Sequence, residues 1–159
     1  MRVRAVIRRG CLATLLCSAL ALAACGRRSP EATPDGAVQK LVELMLHVHG
    51  DPGDAKAAYK LMSKRAQQNL AARAQRYSAA SGKPITPEAM IVPTRFLLRF
   101  QPERYSAQIW GTSALVEVLG PAAGDRAQVP CVFEDGMWRV DVALPPLAPV
   151  QMRPGSAQP

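Results

Sequence analysis

The side chains able to do proton or metal chemistry are few, and their spacing decides how far each can act. His47 and His49 are the only histidines. Two residues apart on a helix is about 200° of rotation, so the pair cannot share a metal as an i, i+4 pair would, and no metal site follows. On a helix over 37–49, His49 falls with Val38, Val42 and Met45 on the apolar stripe, while His47 points to the other side. His49 is then either a general base beside a pocket or, the preferred reading, a partly buried side chain helped by the dipole at a helix C-terminus. Glu117 and Asp141 stand inside extended segments. Asp141 could line a pocket with His49, Tyr59 and Tyr77; the favoured alternative puts both acids on an open sheet face, paired with Arg99 or Arg139. Ser113, in Gly111-Thr112-Ser113, lacks the second glycine of a nucleophile elbow and sits between strands, which makes it a turn residue. Cys131 alternates with Val129 and Phe133 and reads as a small buried hydrophobe rather than a redox centre. No acid, base and nucleophile stand at a recognisable spacing, so no catalytic residue and no cofactor is assigned, and the balance leans away from an enzyme.

A second kind of chemistry is electrostatic. Between Ala55 and Pro87, Lys56, Lys60, Lys64, Arg65, Arg73, Arg76 and Lys83 meet no acid in the sequence. On a helix from 64, Lys64, Arg65 and Arg76 fall opposite or beside the stripe Ala66, Leu70, Ala74, Tyr77. They form a candidate surface for anionic lipid headgroups or an acidic envelope partner, each basic residue contributing on the order of 1 kcal/mol near an anionic membrane. The plainer alternative is a solvated helix face. No aromatic residues interleave with these charges to stack on bases, which disfavours nucleic acid.

The elements that must position these residues can be read from periodicity. The chain has 159 residues, with neither heptad nor collagen period, which excludes a rod and leaves room for a single core. All eight aromatic residues lie within 36–144. Val38, Leu41, Val42, Met45 and Val48 predict a first helix over 37–49 with Asp35 as N-cap and Gly50-Asp51-Pro52-Gly53 as its stop. Asp54 is expected to cap a second helix and Ser63 a third, ended by Ser81-Gly82-Lys83-Pro84; Thr86-Pro87 then starts one further turn. From there the period changes to two. Strands are expected over 94–100, 105–110, 114–119, 127–134 and 137–143, with a type I′ turn at Asp135-Gly136. Pro130 lacks a ladder donor, so its strand should be at an edge or bulged. Helices followed by a meander argue an α+β domain, its N-terminal helices packed on a curved antiparallel sheet of four to five strands.

The N-terminus has an organisation of its own. Arg2, Arg4, Arg8 and Arg9 precede a charge-free run of 15 residues, Cys11 to Cys25, short of the roughly 20 needed to span a bilayer. The run ends in Leu22-Ala23-Ala24-Cys25, which resembles the lipobox of bacterial lipoproteins. The resemblance implies a signal peptide over 1–24, removed on export, and a diacylglycerol thioether on Cys25, with palmitate or similar chains anchoring it to the bilayer. It also implies a cell-envelope address, Gly26 after the cysteine favouring the outer over the inner membrane. Cleavage takes four arginines and halves the formal charge of +8. Only Cys131 then remains as a thiol, and no internal disulfide is possible. Residues 25–35 read as a tether, and 145–159, with five of the 14 prolines, as a disordered tail.

Between tether and tail a second resemblance stands. A first helix, then Tyr59-Lys60-Leu61-Met62-Ser63 beside a helix with Leu70, then Glu134-Asp135-Gly136-Met137-Trp138-Arg139-Val140, is similar to the NTF2-like (SnoaL-like, cystatin-like cone) superfamily over about 36–144. It implies a sheet curled around helices, with a cone mouth that holds a ligand or an active site in some members. The expectation is a lipid-anchored envelope protein whose domain binds a partner or small ligand; the alternative is an enzyme or carrier with a pocket in the cone.

Overall fold

The computed structural model describes residues 29–93 and 96–147. It is an α+β domain with three helices and a four-stranded antiparallel sheet in the order β1-β2-β3-β4. The helices are α1 (Pro34–Met45), α2 (Pro52–Leu61) and α3 (Lys64–Ser81); the strands are β1 (Arg104–Trp110), β2 (Ser113–Leu119), β3 (Arg126–Glu134) and β4 (Met137–Val140). The signal segment 1–24, Cys25, the first tether residues, Thr94, Arg95 and residues 148–159 lie outside the described residues.

The starts of α1 and α2 follow one local rule. Thr33 precedes Pro34, and its Oγ1 accepts from Gly36 N at 3.2 Å; Asp51 precedes Pro52, and its Oδ1 accepts from Gly53 N at 2.7 Å. A short polar cap followed by proline satisfies one exposed donor and removes another. These caps correct the expected ones at Asp35 and Asp54. Ser63 does cap α3, accepting from Ala66 N, and Gly82 ends that helix with φ 67°. The first helix stops at Met45, four residues earlier than its period suggests, and 46–50 is a succession of turns in which Gly50 N donates to His47 O. Those turns still bury Val48, so the hydrophobic period outlasts the helix.

Three strands present a buried face, Ala114, Val116 and Val118 of β2, Cys131 of β3, and Trp138 and Val140 of β4, while β1 packs against it through partly buried Tyr105 and Ala107. They share one cluster with Val38, Leu41 and Met45 of α1, Leu61 of α2, and Ala66 and Leu70 of α3. The α1 helix touches all four strands. At the closing hairpin Asp135 and Gly136 have φ of 51° and 77°, the pair of positive values a type I′ turn needs.

Three strand expectations are corrected. No strand occurs among the described residues of 94–100: Phe96 N and Leu97 N both donate to Pro93 O, so the segment opens as a turn. Its alternation is real, with Phe96, Leu98 and Phe100 partly buried against the core and Leu97 and Arg99 exposed, but no neighbour offers a ladder. Pro130 lies in an interior strand with unbroken register, opposite Leu115. Its carbonyl accepts from Asp141 N on the β4 side, so its missing N–H falls where β4 has just ended. The last strand accordingly covers 137–140, not 137–143.

Candidate functional site

Two regions concentrate the features a function could use, one along the β4 edge and one between α1, the segment 96–103 and the sheet, and Asp141 touches both. The first is polar and closed. At the junction of α2 and α3, Met62 bridges to Val140, and Ser63 N donates to Val140 O at 2.9 Å, so the free edge of β4 is covered. Buried Ser63 donates from Oγ to Asp141 Oδ1 at 2.6 Å while accepting from Ala66 N. Arg65 grips the same carboxylate with two bonds, Nε to Oδ1 at 3.2 Å and Nη2 to Oδ2 at 2.8 Å. Lys64 donates from its backbone to Glu134 and from Nζ to Asp135, each at 2.9 Å. That ammonium's hydrogen bond to Asp135, with the acid's charge, pushes its pKa up. Arg139 donates to Lys60 O at 2.8 Å and pairs with Glu31 at 3.5 Å.

This network places the basic residues singled out in the sequence. Lys64 and Arg65 are engaged by acids of the β3–β4 hairpin and the residue after it, 70 or more positions along the chain. The run lacks acids only in one dimension. Arg76 lies apart from them on α3, against a shallow hollow with Arg73, Tyr77, Ala80 and Leu147. Glu117 pairs with Arg126, and Asp141 with Arg65, in place of the expected Arg99 or Arg139.

The second region is apolar and open. Between α1, the segment 96–103 and the sheet lie two hollows of about 290 and 630 Å³ that share Val42 and Leu98. Val38, Phe96, Val129 and Val142 line the smaller; Leu46, Phe100 and Tyr105 line the larger. Together they make one trough with Val42 and Leu98 at its middle. Burial pushes the pKa of Tyr105 up, and Glu103 and Gln101 stand at the rim. Sequence reasoning missed this site because 96–100 read as a strand, although the one-sided apolar alternation that marks the lining was visible.

The four expected pocket residues are not brought together. His49 is exposed beside a separate hollow with Pro52, Lys56 and Glu88, since the turns at 46–50 cancel the helical angle that placed it on the stripe. Tyr77 is 59% exposed near the end of α3, beyond the buried Ala66, Leu70 and Ala74. Tyr59 donates to Gln67 O at 3.3 Å and is half-buried, which, with nearby Glu88, raises its pKa. Only Asp141 touches the trough, with its carboxylate already held by Ser63 and Arg65. Cys131 is 1% exposed, and burial, with the charges of Asp141 and Asp35 nearby, pushes its thiol up to about 12, the mark of an inert core thiol.

Pro145 O accepts from Arg73 at 2.7 Å and Asn69 at 3.3 Å, so α3 holds the first residues after 144. Among the described residues no three ligating side chains gather for a metal, and no helix is long and apolar enough to cross a membrane. Set against protein-family models, curated proteins and solved structures, the chain matches none.

Proposed function

We propose that this chain is an envelope lipoprotein, anchored through Cys25 in the outer membrane, whose NTF2-like domain binds a small, largely apolar ligand in the trough between α1 and the sheet. The observation that carries the binding reading is the trough itself: two hollows joined at Val42 and Leu98, of a volume within the several hundred Å³ usual for small-ligand sites. Its walls are largely aliphatic and aromatic; of the three acids that line it, Asp141 is paired with Arg65 and Glu43 with Lys40, which leaves Glu103 beside the larger hollow. Such a lining suits desolvation of an apolar body, with Gln101, Glu103 and Gln128 at hand for a polar end. The succession of three helices and a meander supports the cone-like reading of the fold. The anchoring reading rests on Leu22-Ala23-Ala24-Cys25 after a basic head.

Binding is tested with a fluorescent apolar probe such as N-phenyl-1-naphthylamine on the unlipidated chain from Gly26. Val42→Phe fills the junction of the hollows and should weaken probe binding by about tenfold, or roughly 1.4 kcal/mol, with the thermal midpoint kept. Equal binding by both chains would remove the trough from the function. Anchoring is tested by the mass of the mature N-terminus and by fractionation of Cys25→Ala. A mutant that still pellets with membranes after a high-salt wash, or a mature chain without a diacylated Cys25, would overturn it.

A further inference from the structure

Three of the exposed large apolar side chains stand at one end of the sheet: Ile109 (54% exposed), Trp110 (58%) and Phe133 (41%). Both tight turns, at Gly111-Thr112 and Asp135-Gly136, lie at this end, because β1 and β3 run toward it and β2 and β4 away. Phe133 N donates to Thr112 O at 2.7 Å, which joins the two hairpins there, and its ring leans on Trp138 with centroids 5.3 Å apart.

The chain enters the domain at the same end. Glu31 pairs with Arg139, and Pro34 O lies 3.9 Å from Cys131 Sγ. The other end of α1 reaches the opposite end of the sheet, where Val42 and Leu46 meet Pro102 and Tyr105. Registers make the placement sharper. Arg139 pairs with Val132, Val132 with Ser113, and Ser113 with Trp110, so the residue that holds the entering chain and the exposed tryptophan occupy one cross-strand row. That row spans three strand spacings, about 14 Å. Four residues separate Cys25 from Pro30, and the five Cα steps between them reach at most about 18 Å.

We propose that this sheet end rests on the bilayer that carries the anchor, with Trp110 from the outer face of the sheet and Ile109 and Phe133 from its core face all reaching the headgroups. The proposal rests on the lipoprotein reading of Cys25 and extends it from an anchor to an orientation. A short tether holds one end of the domain near the surface, and that end presents an indole and two apolar side chains. Indole rings favour the interface, where the ring is desolvated and its N–H still finds a partner. Two ion pairs stand at this end, Lys64 with Asp135 and Arg139 with Glu31, and pairing lowers the cost of bringing these charges near lipid. The far end, where Pro102 and Glu103 line the larger hollow, then faces away from the membrane.

The experiment uses the mature lipidated protein reconstituted into phosphatidylethanolamine and phosphatidylglycerol vesicles, with lipids brominated near the headgroup end of their acyl chains as quenchers. The chain has two tryptophans, and Trp138 is buried at 7% exposure, so it supplies a constant background. Emission of the wild type should be quenched by the brominated lipid, and the quenched component should vanish in Trp110→Phe, an exposed change that leaves the core intact. Quenching that is absent, or equal in both proteins, while both float with the vesicles and carry acylated Cys25, would overturn the orientation and leave the anchor standing. A wild type that neither floats nor carries acyl chains would fail the anchor, and the orientation with it.

Discussion

The two edges of the sheet are finished in different ways. Along β4 the edge is covered by the α2–α3 junction, and polar groups are joined in a network: Ser63 with Val140 and Asp141, Arg65 with Asp141, Lys64 with Glu134 and Asp135, Arg139 with Lys60 and Glu31. Along β1 the segment 96–103 lies beside an apolar trough, and Ile109 and Trp110 face solvent. A covered edge resists pairing with another chain, and a side-chain network along it fixes the positions of its members. An edge with apolar exposure and little bonding leaves room for something to bind. The difference teaches where to look: charge draws attention to the β4 side in the sequence, yet there Lys64 and Arg65 are engaged by acids, and the accessible apolar surface runs from the β1 side along α1 and the segment 96–103 into the smaller hollow.

The contrast can be broken most severely at Trp138. Its side chain is 7% exposed, shares the core with α1 and α2 residues, and carries Phe133 on its ring. Trp138→Ala should cost about 3 to 5 kcal/mol, by loss of burial plus the cavity left behind. Urea unfolding followed by far-UV circular dichroism measures it. A loss under about 1 kcal/mol would mean that the β4 side is not the anchored one.

Next comes a pH effect. Burial holds the Cys131 thiol protonated up to about 12, above its ordinary value of 9.0. A folded state that keeps its proton while the unfolded chain loses it is stabilised fully below the unfolded value, and that contribution fades as pH rises toward 12. Three units correspond to no more than about 4 kcal/mol at the far end of the window. The thermal midpoint should therefore fall between pH 9 and 12 more steeply in the wild type than in Cys131→Ala. Parallel slopes would show that the thiol meets water. Tyr59 and Tyr105, also raised by burial, add a slope of the same sign in both proteins.

How much of this was legible in the sequence depends on the range of the interaction that decides it. The hairpin at Asp135-Gly136 and the Ser63 cap were readable because each is settled within four residues. The caps at Thr33 and Asp51 carry the same cap-proline signal as Thr86-Pro87 and were passed over in favour of Asp35 and Asp54. The segment 96–100 shows the opposite limit. Alternation reports which side chains are buried, whereas a strand also needs a partner, and nothing local says whether one is in reach. Tyr77 continues a helical stripe past the point where the core ends. The shape of the apolar trough and the pairing of Lys64 and Arg65 with distant acids depend on tertiary placement.

Ser63 gives the next smaller effect and a sharper test of the closed edge. One hydroxyl caps α3 and binds Asp141 in a buried setting. Ser63→Ala removes both bonds and leaves Ala66 N and one lone pair of Asp141 without that partner, at a cost of about 1 to 3 kcal/mol. Because Arg65 still holds the carboxylate, adding Arg65→Gln to Ser63→Ala should cost more than the two single losses predict, and strict additivity would mean that the three groups are not one network.

The smallest effect belongs to the outer face of the sheet. Glu117 and Arg126 lie on β2 and β3 with Nε 3.1 Å from Oε1, and both side chains are substantially open to water. Water and salt screen such a pair, and ordering two flexible side chains offsets most of the attraction that remains. A double-mutant cycle with Glu117→Gln and Arg126→Gln should return a coupling of about 0.2 to 1 kcal/mol at low salt, declining toward zero in molar salt. A coupling above that range, or one insensitive to salt, would show that the pair is shielded from solvent. The outer face would then be covered in the protein's working state, and the contrast between a finished β4 edge and an open β1 side would have to include a third, covered surface.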